Sequence, residues 1–571
     1  MQTKRQKYET LRGQLDLERS SFTAHWRDLS DYILPRRSRF TLSDVNRGER
    51  KNKNIIDSTA TLAARTLRSG MMAGITSPAR PWFRLTTPDP EMAEFGPVRG
   101  WLDQVQNRIT TSYLRSNLYN TLPIAYGDLG VFGTAPMFVE EDFTGEVLRT
   151  QSFPVGSYMI GKDAKGKVNT FFREFRMTVR QVVEMFGTYG PNGQPKWDNF
   201  SIYVRDMYLR GEYESWIDIC HVISPNTDYN PKKLFAKHKK FASCYYERGM
   251  SGKNSYLGTD DMEKYLRESG YDYFPVLCPR WETTGEDVYG TSCPGMEALG
   301  DIKQLQHGEK RIMEAVDKMI RPPMTGPTSL RNQTASILPG DITYVDATSG
   351  QGFRPAIELN FNVQNMELKQ NQVRQRIQRA FYEDLFLMLA NTDRRQITAR
   401  EIDERHEEKL LALGPVLEQL NQDLLDPLTD IAFDIHVRQG LIPPPPPELE
   451  GVDLKVEYVS IMAQAQKMIG IAGVDRFTGF VGQLAQFDPG ALDKIKSDKV
   501  IDVYADMTSV PPSIVRSDED VKAIRESRAQ AQQQANAMAA AQSAAQTAQT
   551  LSQTPVGDDG GSALNAIVGE A

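Results

Sequence analysis

Three basic side chains recur on one face of a predicted helix in the second half of the chain. Lys369, Arg376 and Arg379 are spaced by seven and then three residues, which brings them to the same side of an α-helix. Cations in such a row can neutralise the phosphates of nucleic acid without reading a base. A solvated helix surface, or salt bridges to a neighbouring helix, explains the same pattern, and the sequence leaves these interpretations open.

A polar segment follows this helix at residues 390–396. It contains Asn391, Arg394 and Arg395 and separates two stretches of strong helical pattern. Segments of this kind are typical of a simple turn between helices. A pair of arginines at the tip of such a turn also suits transient contacts with a nucleic-acid backbone, so we predict these three residues as further contact points.

Catalytic and metal-binding motifs are not found at the spacings that their chemistry requires. The chain has no GxxxxGK[ST] phosphate loop and no GxSxG elbow, and Leu410 stands where a zinc-protease helix would need a second histidine after His406. Cys220 and His221 are neighbours that point to opposite faces of a predicted strand. A carboxylate metal site assembled by folding stays open, but we predict a protein that is not an enzyme and that uses no cofactor or metal.

Composition predicts a soluble chain of several folded domains. Of its 571 residues, 40% are hydrophobic and 25% are charged, and the net charge is −7. An acidic total argues against a surface that grips nucleic acid everywhere, although it permits a local basic stripe. The four cysteines lack CxxC spacing and favour a reducing compartment. The longest apolar run, near 385–390, is too short to span a bilayer, so we expect a cytoplasmic protein without a membrane segment.

The elements that must position the basic residues form an α+β pattern. Helical spacing predicts helices over 11–34, 58–72 and 97–118, and short β-like runs follow them. We predict that these runs form a mostly antiparallel sheet domain with one short helix over 180–186. The predicted strands are 135–140, 147–153, 170–177, 216–223, 241–247 and 273–279.

Two long amphipathic helices are predicted in the second half of the chain, at 296–320 and 363–389. They enclose an insert that is rich in proline and glycine and contains one predicted strand at 341–345. After the polar segment, Thr398 and Glu401 have the spacing of a capping box and predict the start of another helix. The order is therefore helix, small module, helix, turn and helix, which suits the wall of a channel.

The last part of the chain combines helices, a stiff spacer and a biased tail. The helix from the capping box is predicted to bend at Pro415 and Pro427, and a run of prolines at 443–447 ends it. One strand at 454–459 and several helices follow. Residues 529–557 carry no charge and no aromatic side chain; we expect disorder in the free chain, and the alternative is an extended helix stabilised by identical copies.

A series of short motifs occurs in a fixed order from about residue 11 to about residue 504. The sequence Thr-Ala-Arg-Glu-Ile at 398–402 is similar to the Thr-Ala-x-Glu-Val/Ile signature that follows the channel loop in phage portal proteins. Taken together, the motifs resemble the head-to-tail connector, or portal, family of short-tailed bacteriophages. The others are Ser77-Pro78, Pro81-Trp82-Phe83, Phe172–Glu174, Thr178, Arg180-Gln181, Phe186-Gly187, Phe274–Leu277, Arg280-Trp281, Tyr289-Gly290, Pro294, Ala298-Leu299, Asp301–Lys303 and Leu305.

The resemblance implies an α+β portal fold assembled as a twelvefold ring around a central channel. In the clip, it makes Arg331, Asp341 and Arg354 candidates for docking the terminase and the adaptor. The implied divisions are a wing at 1–295, stem helices at 296–320 and 363–389, a clip at 321–362, a tunnel loop at 390–396, a return helix and proline-rich linker at 397–451, a helical crown at 452–528 and a tail at 529–571.

The function implied by the resemblance is that of a virion component at one capsid vertex, assembled in the host cytoplasm. Double-stranded DNA would be packaged and ejected through the ring without sequence specificity. The implied partners are identical copies, the terminase large subunit, tail adaptor and nozzle proteins, the major capsid protein and the scaffolding protein, with no membrane. Two rivals are a scaffolding or other assembly protein, which the mixed α+β middle disfavours, and a packaging ATPase or nuclease, which the missing phosphate loop disfavours.

Overall fold

The structure is a computed structural model that comprises two units, residues 1–466 and 467–571. The described residues are 3–42, 51–89, 92–93, 95–143, 145–249, 264–325, 354–355, 363–391, 413–449, 451–452, 454–459, 474, 476–485, 487, 490, 494–507 and 518–553.

Four helices form the first part of the larger unit: α1 (Lys4–Tyr32), α2 (Thr59–Ile75), α3 (Gly96–Arg115) and α4 (Leu118–Phe132). Helix α1 begins at a capping box, in which Thr3 and Gln6 each accept from the other's backbone N–H. Helix α4 is mostly apolar and lies in the core, and its pattern has no continuous polar face, which explains why no separate helix is predicted here.

Two antiparallel sheets follow these helices and confirm the predicted α+β class. The smaller sheet has the order β3-β2-β9, and the larger has the order β4-β5-β6-β7-β8. Their strands are β2 (Met137–Asp142), β3 (Val147–Ser152), β4 (Tyr158–Lys162), β5 (Val168–Thr178), β6 (Trp216–Pro225), β7 (Phe241–Glu247), β8 (Arg267–Tyr271) and β9 (Val276–Leu277), with helices α5 (Val179–Phe186) and α6 (Ile202–Leu209) between β5 and β6.

In these two sheets the six predicted strands are all present, and two further strands, β4 and β8, were not predicted. Strand β4 is short and contains Gly161, and the polar edge strand β8 has no alternation of apolar side chains. Strand β7 has the predicted bounds, 241–247. The strands that the sequence pattern does not predict are therefore the two edge strands of the larger sheet.

A buried histidine lies between the two sheets. The Nε of Arg173 donates to Nδ1 of His221 at 3.3 Å, and Nε2 of His221 lies 3.0 Å from the Ser243 hydroxyl oxygen. The ring also stacks on Tyr245 with centroids 3.7 Å apart. Because Nδ1 accepts a hydrogen bond from a cation, the imidazole is neutral and carries its proton on Nε2.

We expect acid to destabilise the fold through this histidine. Burial lowers the pKa of His221 well below its usual 6.5, and the charges of Arg173 and Arg267 lower it further. Below pH 6.5 the histidine is therefore protonated in the unfolded chain but stays neutral in the folded chain. As the pH falls, the free energy of unfolding decreases by up to about 1.4 kcal/mol per pH unit. Urea unfolding between pH 7.5 and 5 should show that the free energy of unfolding depends less steeply on pH in His221→Gln than in the wild type. Part of the dependence should remain, because burial also lowers the pKa of His436. An equal slope against pH in wild type and His221→Gln would contradict this account.

A second buried contact joins the sheet region to the returning helical segment. Residues 413–420 are helical, Asn421–Leu425 form a π-helical turn, and α10 (Asp426–Arg438) continues from it. In that turn Asp423 accepts from Arg280 at 3.0 Å, and the two side chains are only 14% and 6% exposed. The π turn lies just before Pro427 and directs Asp423 at Arg280, and the bends at Pro415 and Pro427 stay predictions.

The remaining elements of the larger unit close its fold. Strand β1 (Phe83–Thr86) pairs antiparallel with β12 (Lys455–Tyr458), so the chain after the proline run returns to its first third. Among the described residues, no helix combines the length and the hydropathy needed to cross a bilayer.

The smaller unit contains a helical segment at 476–485, α11 (Ser497–Met507) and α12 (Asp518–Gln553). Arg525 on α12 donates to Asp498 on α11 at 2.7 Å. The Ala/Gln-rich stretch is helical as far as Gln553, and its described side chains up to Thr550 are exposed. This is the extended form named as the alternative; disorder of the free chain and stabilisation by identical copies both stay predictions. Residues 554–571 lie outside the described part.

Candidate functional site

The predicted pair of long helices is present as α7 (Pro294–Ile320) and α8 (Val363–Ala380). They run antiparallel, because Asp301 pairs with Arg376 whereas Gly308 contacts Gln370. With 27 residues, α7 spans roughly 40 Å at 1.5 Å per residue. The helix pair is therefore long enough to form a wall, and its position depends on how its base is held.

The base of α7 is held against the end of α4 by direct backbone contact. A Cβ atom on Gly295 would lie 2.6 Å from the carbonyl oxygen of Val131 and 2.8 Å from its Cα. Beside it, the thiol of Cys293 donates to the same carbonyl oxygen at 3.2 Å. The helices approach at this point more closely than any side chain allows, so only glycine fits at 295.

A polar network ties both long helices to the loop before α2. The Oε1 of Gln306 accepts from the backbone N–H groups of Ile56 and Asp57 at 2.6 and 2.8 Å, and its Nε2 donates to the Asp57 carbonyl. Arg374 on α8 donates to the Asp57 carboxylate at 2.9 Å and to Glu309 at 2.6 Å. Burial acts to raise the pKa of Asp57, but hydrogen bonds, including that from Arg374, outweigh it and lower the pKa below 3.8.

The three predicted basic residues of α8 have different surroundings. Arg376 makes a two-pronged ion pair with Asp301 on α7, with N–O distances of 2.7 and 3.1 Å. For Arg376, and for the neighbouring Arg374, the alternative of salt bridges to an adjacent helix is thus confirmed. Lys369 and Arg379 are exposed, and within the described ranges neither has an ion-pair partner. Their charge is available, so DNA contact by these residues stays a prediction.

The single helix predicted over 363–389 is wrong, because the chain breaks at Tyr382. Helix α8 ends at Ala380 and α9 (Glu383–Asn391) begins after Tyr382, whose φ of 55° is left-handed and strained for an aromatic residue. The break turns α9 onto α2, where the Phe386 ring occupies the space that a Cβ on Gly70 would need. Burial of Leu385 and Phe386 against α2 is the force that redirects the chain.

The residues predicted for the polar turn lie at or beyond the end of α9. Asn391 is its last residue. Arg394 and Arg395 are outside the described residues, as is the predicted capping box at Thr398 and Glu401. Their role as DNA contacts therefore stays a prediction.

The insert between the long helices begins and ends in a short antiparallel pair, β10 (Met324–Thr325) and β11 (Arg354–Pro355), with Thr325 opposite Arg354. This pair joins the two ends of the insert and places the Arg354 backbone at its base. Arg331, Asp341 and the predicted strand at 341–345 lie outside the described residues.

The outer half of the helix pair carries apolar side chains in water. Beyond Gln306, no described residue of α7 is buried, although Met313, Met319 and Ile320 are apolar. Ile320 is 72% exposed, and Leu368 on α8 is 61% exposed. A helix pair with this much exposed apolar surface is typical of one that packs against another subunit.

Sequence reasoning missed the residues that hold the helix pair. None of Asp57, Gln306, Glu309 and Gly295 is predicted as a contact of the helix pair. A Gln on the apolar stripe of a helix indicates a buried polar contact, because a buried amide needs hydrogen-bond partners. The sequence does not show which residues they are, since the partners of Gln306 are about 250 residues away along the chain. In the part of the chain that the structure describes, no cluster of His, Cys, Asp and Glu has the geometry of a metal site.

Comparison with known proteins finds matches along most of the chain. Residues 5–515 match the family of bacteriophage head to tail connecting proteins. The chain is 48% identical over 560 residues to the portal protein of Salmonella phage epsilon15, covering 98% of this chain and 97% of that protein. It is 44% identical over 533 residues to the probable portal protein of Bordetella phage BPP-1, covering 93% and 92%. The chain therefore belongs to the bacteriophage head-to-tail connector, or portal, family.

Proposed function

We propose that copies of this chain form a twelvefold ring at one capsid vertex, through whose channel double-stranded DNA is packaged and later ejected. The observation that carries the proposal is the antiparallel pair α7–α8, which is anchored at its base by Gln306 and Arg374 and uncovered along its outer half. A ring of such pairs is a tube of long helices. The assembled protein acts in the virion, after assembly in the host cytoplasm.

Ring closure gives the uncovered side chains a partner. In a ring each subunit presents one face to the next, and the two faces differ. Met313, Ile320 and Leu368 would then be buried against the neighbouring copy, at roughly 25 cal/mol per Å² of apolar area removed from water. Repeated at every interface, this burial favours a closed ring over a single chain.

A few cations that are far apart bind DNA weakly, which suits a channel through which DNA has to slide. Each phosphate neutralised by a protein cation adds affinity by counterion release, so a continuous basic lining would hold the DNA in place. Among the described residues, Lys369 and Arg379 have no ion-pair partner, whereas the charge of Arg376 is compensated by Asp301. We propose Lys369 and Arg379, with Asn391, Arg394 and Arg395 at the turn, as the DNA-facing residues, and Arg376 as a lesser contributor.

The insert is the proposed docking surface. In this proposal Arg331, Asp341 and Arg354 lie on the clip that binds the terminase large subunit during packaging and the adaptor and nozzle proteins afterwards. The major capsid protein and the scaffolding protein would contact the wing. The portal itself is proposed to have no catalytic role, and the terminase supplies the ATP hydrolysis.

Negative-stain electron microscopy of the purified chain tests the ring directly. Class averages with a central hole and twelvefold symmetry would support it. If the protein stays monomeric alone, the same measurement is made after co-expression with the phage scaffolding and capsid proteins. Monomers, rods or compact globules under both conditions would overturn the proposal.

Reversing the charge of the turn should impair DNA handling without affecting assembly. We expect Arg394→Glu combined with Arg395→Glu to form normal rings and to lower packaged DNA per particle by about tenfold, because added carboxylates repel the phosphates. Nuclease-protected DNA in purified particles measures the effect. Arg115→Glu with Arg210→Glu, at exposed positions on α3 and after α6, is the matched control. Equal DNA content in both double variants would remove these arginines from the channel.

A further inference from the structure

The connection between β6 and β7 presents two adjacent apolar side chains among lysines. Residues 231–240, here called the basic–apolar loop, read Pro-Lys-Lys-Leu-Phe-Ala-Lys-His-Lys-Lys. Leu234 is 98% exposed and Phe235 is 72% exposed. Connections in antiparallel hairpins usually have two to five residues, and much longer ones commonly carry function. The long loop of this hairpin therefore exposes two large apolar side chains to water.

The basic–apolar loop has a defined shape. The side-chain amide of Asn226 donates to the carbonyl oxygens of Lys237 and Lys239 at 2.9 and 2.7 Å. The backbone N–H of Asn230 donates to the carbonyl oxygen of His238 at 3.0 Å, which closes the loop across its middle. Because the backbone is already held, a partner meets a preorganised surface and little ordering entropy opposes binding.

The lysines around the apolar pair carry uncompensated charge. Lys232, Lys233 and Lys237 are exposed, and among the described residues none of them has an ion-pair partner. Lys239, by contrast, is paired with Asp272 at 2.8 Å. The chain has a net charge of −7, so this loop is a local group of cations on an acidic protein.

We propose that the basic–apolar loop docks an acidic segment of another protein that carries apolar side chains beside its carboxylates. The carboxylates would face Lys232, Lys233 and Lys237, and the apolar groups would cover Leu234 and Phe235. Duplex DNA fits less well, because its phosphate backbone has no apolar surface with which to cover two side chains this exposed. The site lies on the larger sheet and is independent of the proposed channel.

Binding of defined probes to the full-length chain tests this assignment. The probes are a fluorescent peptide that alternates Glu with Leu and Phe, a poly-Glu peptide of equal charge, a 20-base-pair duplex and vesicles with anionic lipid. We expect the wild-type chain to prefer the amphipathic acidic peptide over the other three probes. Leu234→Ser with Phe235→Ser, and separately Lys232→Glu with Lys233→Glu, should each weaken that binding about tenfold.

Two matched controls separate the loop from general surface effects. Phe143→Ser removes a ring that is 84% exposed in a different hairpin, and Lys165→Glu with Lys167→Glu reverses two exposed lysines in another turn. Both controls should bind like the wild type. The proposal is overturned if no probe binds, if DNA or vesicles bind most tightly, or if the loop variants bind as the controls do. Loss of binding in the lysine variant alone would also overturn it, since the surface would then be purely ionic.

Discussion

Replacing Gly295 with valine is expected to cost about 3 kcal/mol of stability or more and to prevent ring formation. The new side chain would meet the backbone of Val131, whose carbonyl oxygen lies 2.6 Å from the Cβ position. A backbone cannot rotate away as a side chain can, so α7 must shift off α4. Urea unfolding measures the loss of stability, and electron microscopy measures the loss of rings.

Gly300 offers the matched control on the same helix. Nothing lies within 4 Å of the Cβ position there, and the residue is exposed, so Gly300→Val should leave stability nearly unchanged. Gly295→Ala should fall between the two, because its single methyl meets the same oxygen. If both valine variants unfold at the same urea concentration, the contact between α7 and Val131 does not hold the helix pair.

Removing the carboxylate of Asp423 is expected to destabilise the protein by about 3–5 kcal/mol. Asp423→Ala would leave the guanidinium of Arg280, only 6% exposed, without its counter-charge. A buried unpaired cation costs far more than the pair contributes, because desolvation is no longer offset. The midpoint of thermal unfolding at a fixed scan rate measures the effect, since a chain of this length need not refold reversibly.

The double variant tests the cause of this loss. Arg280→Ala combined with Asp423→Ala removes both charges and should recover part of the stability lost in Asp423→Ala alone. Glu214→Ala, which breaks the exposed pair of Arg180 and Glu214, should cost at most about 1 kcal/mol. A double variant no more stable than Asp423→Ala would mean that lost packing, not an orphaned charge, is responsible.

Sequence spacing predicts where the helices and strands of this fold lie, but it predicts their tertiary contacts less well. Helix α7 starts two residues before the predicted position and ends at the predicted one, because its apolar stripe and the following prolines are local signals. The break at Tyr382 has no such signal: helical spacing continues through it, and only the distant surface of α2 explains why α9 turns. Tertiary contact overrides the local pattern there.

At the candidate site, too, sequence spacing predicts the positions of side chains but not their partners. Spacing correctly predicts that Lys369, Arg376 and Arg379 are exposed on one helix. It cannot tell which cation is already paired, because the partner of Arg376 is 75 residues away and is brought near by the antiparallel packing of α7 and α8. Charge counted along a sequence therefore overstates the charge that a folded surface offers.

The two-residue strand pair at the start and end of the insert has a consequence for how such proteins diversify. Because Thr325 and Arg354 face each other across β10 and β11, whatever lies between them enters and leaves the helix pair at nearly one point. Changes of length at 326–353 then need not alter the register of α7 against α8, since loop length is cheap once its ends are joined. Under the proposed function, exchange of residues 326–353 would alter the docking surface while the helix pair that carries it keeps its own pairing.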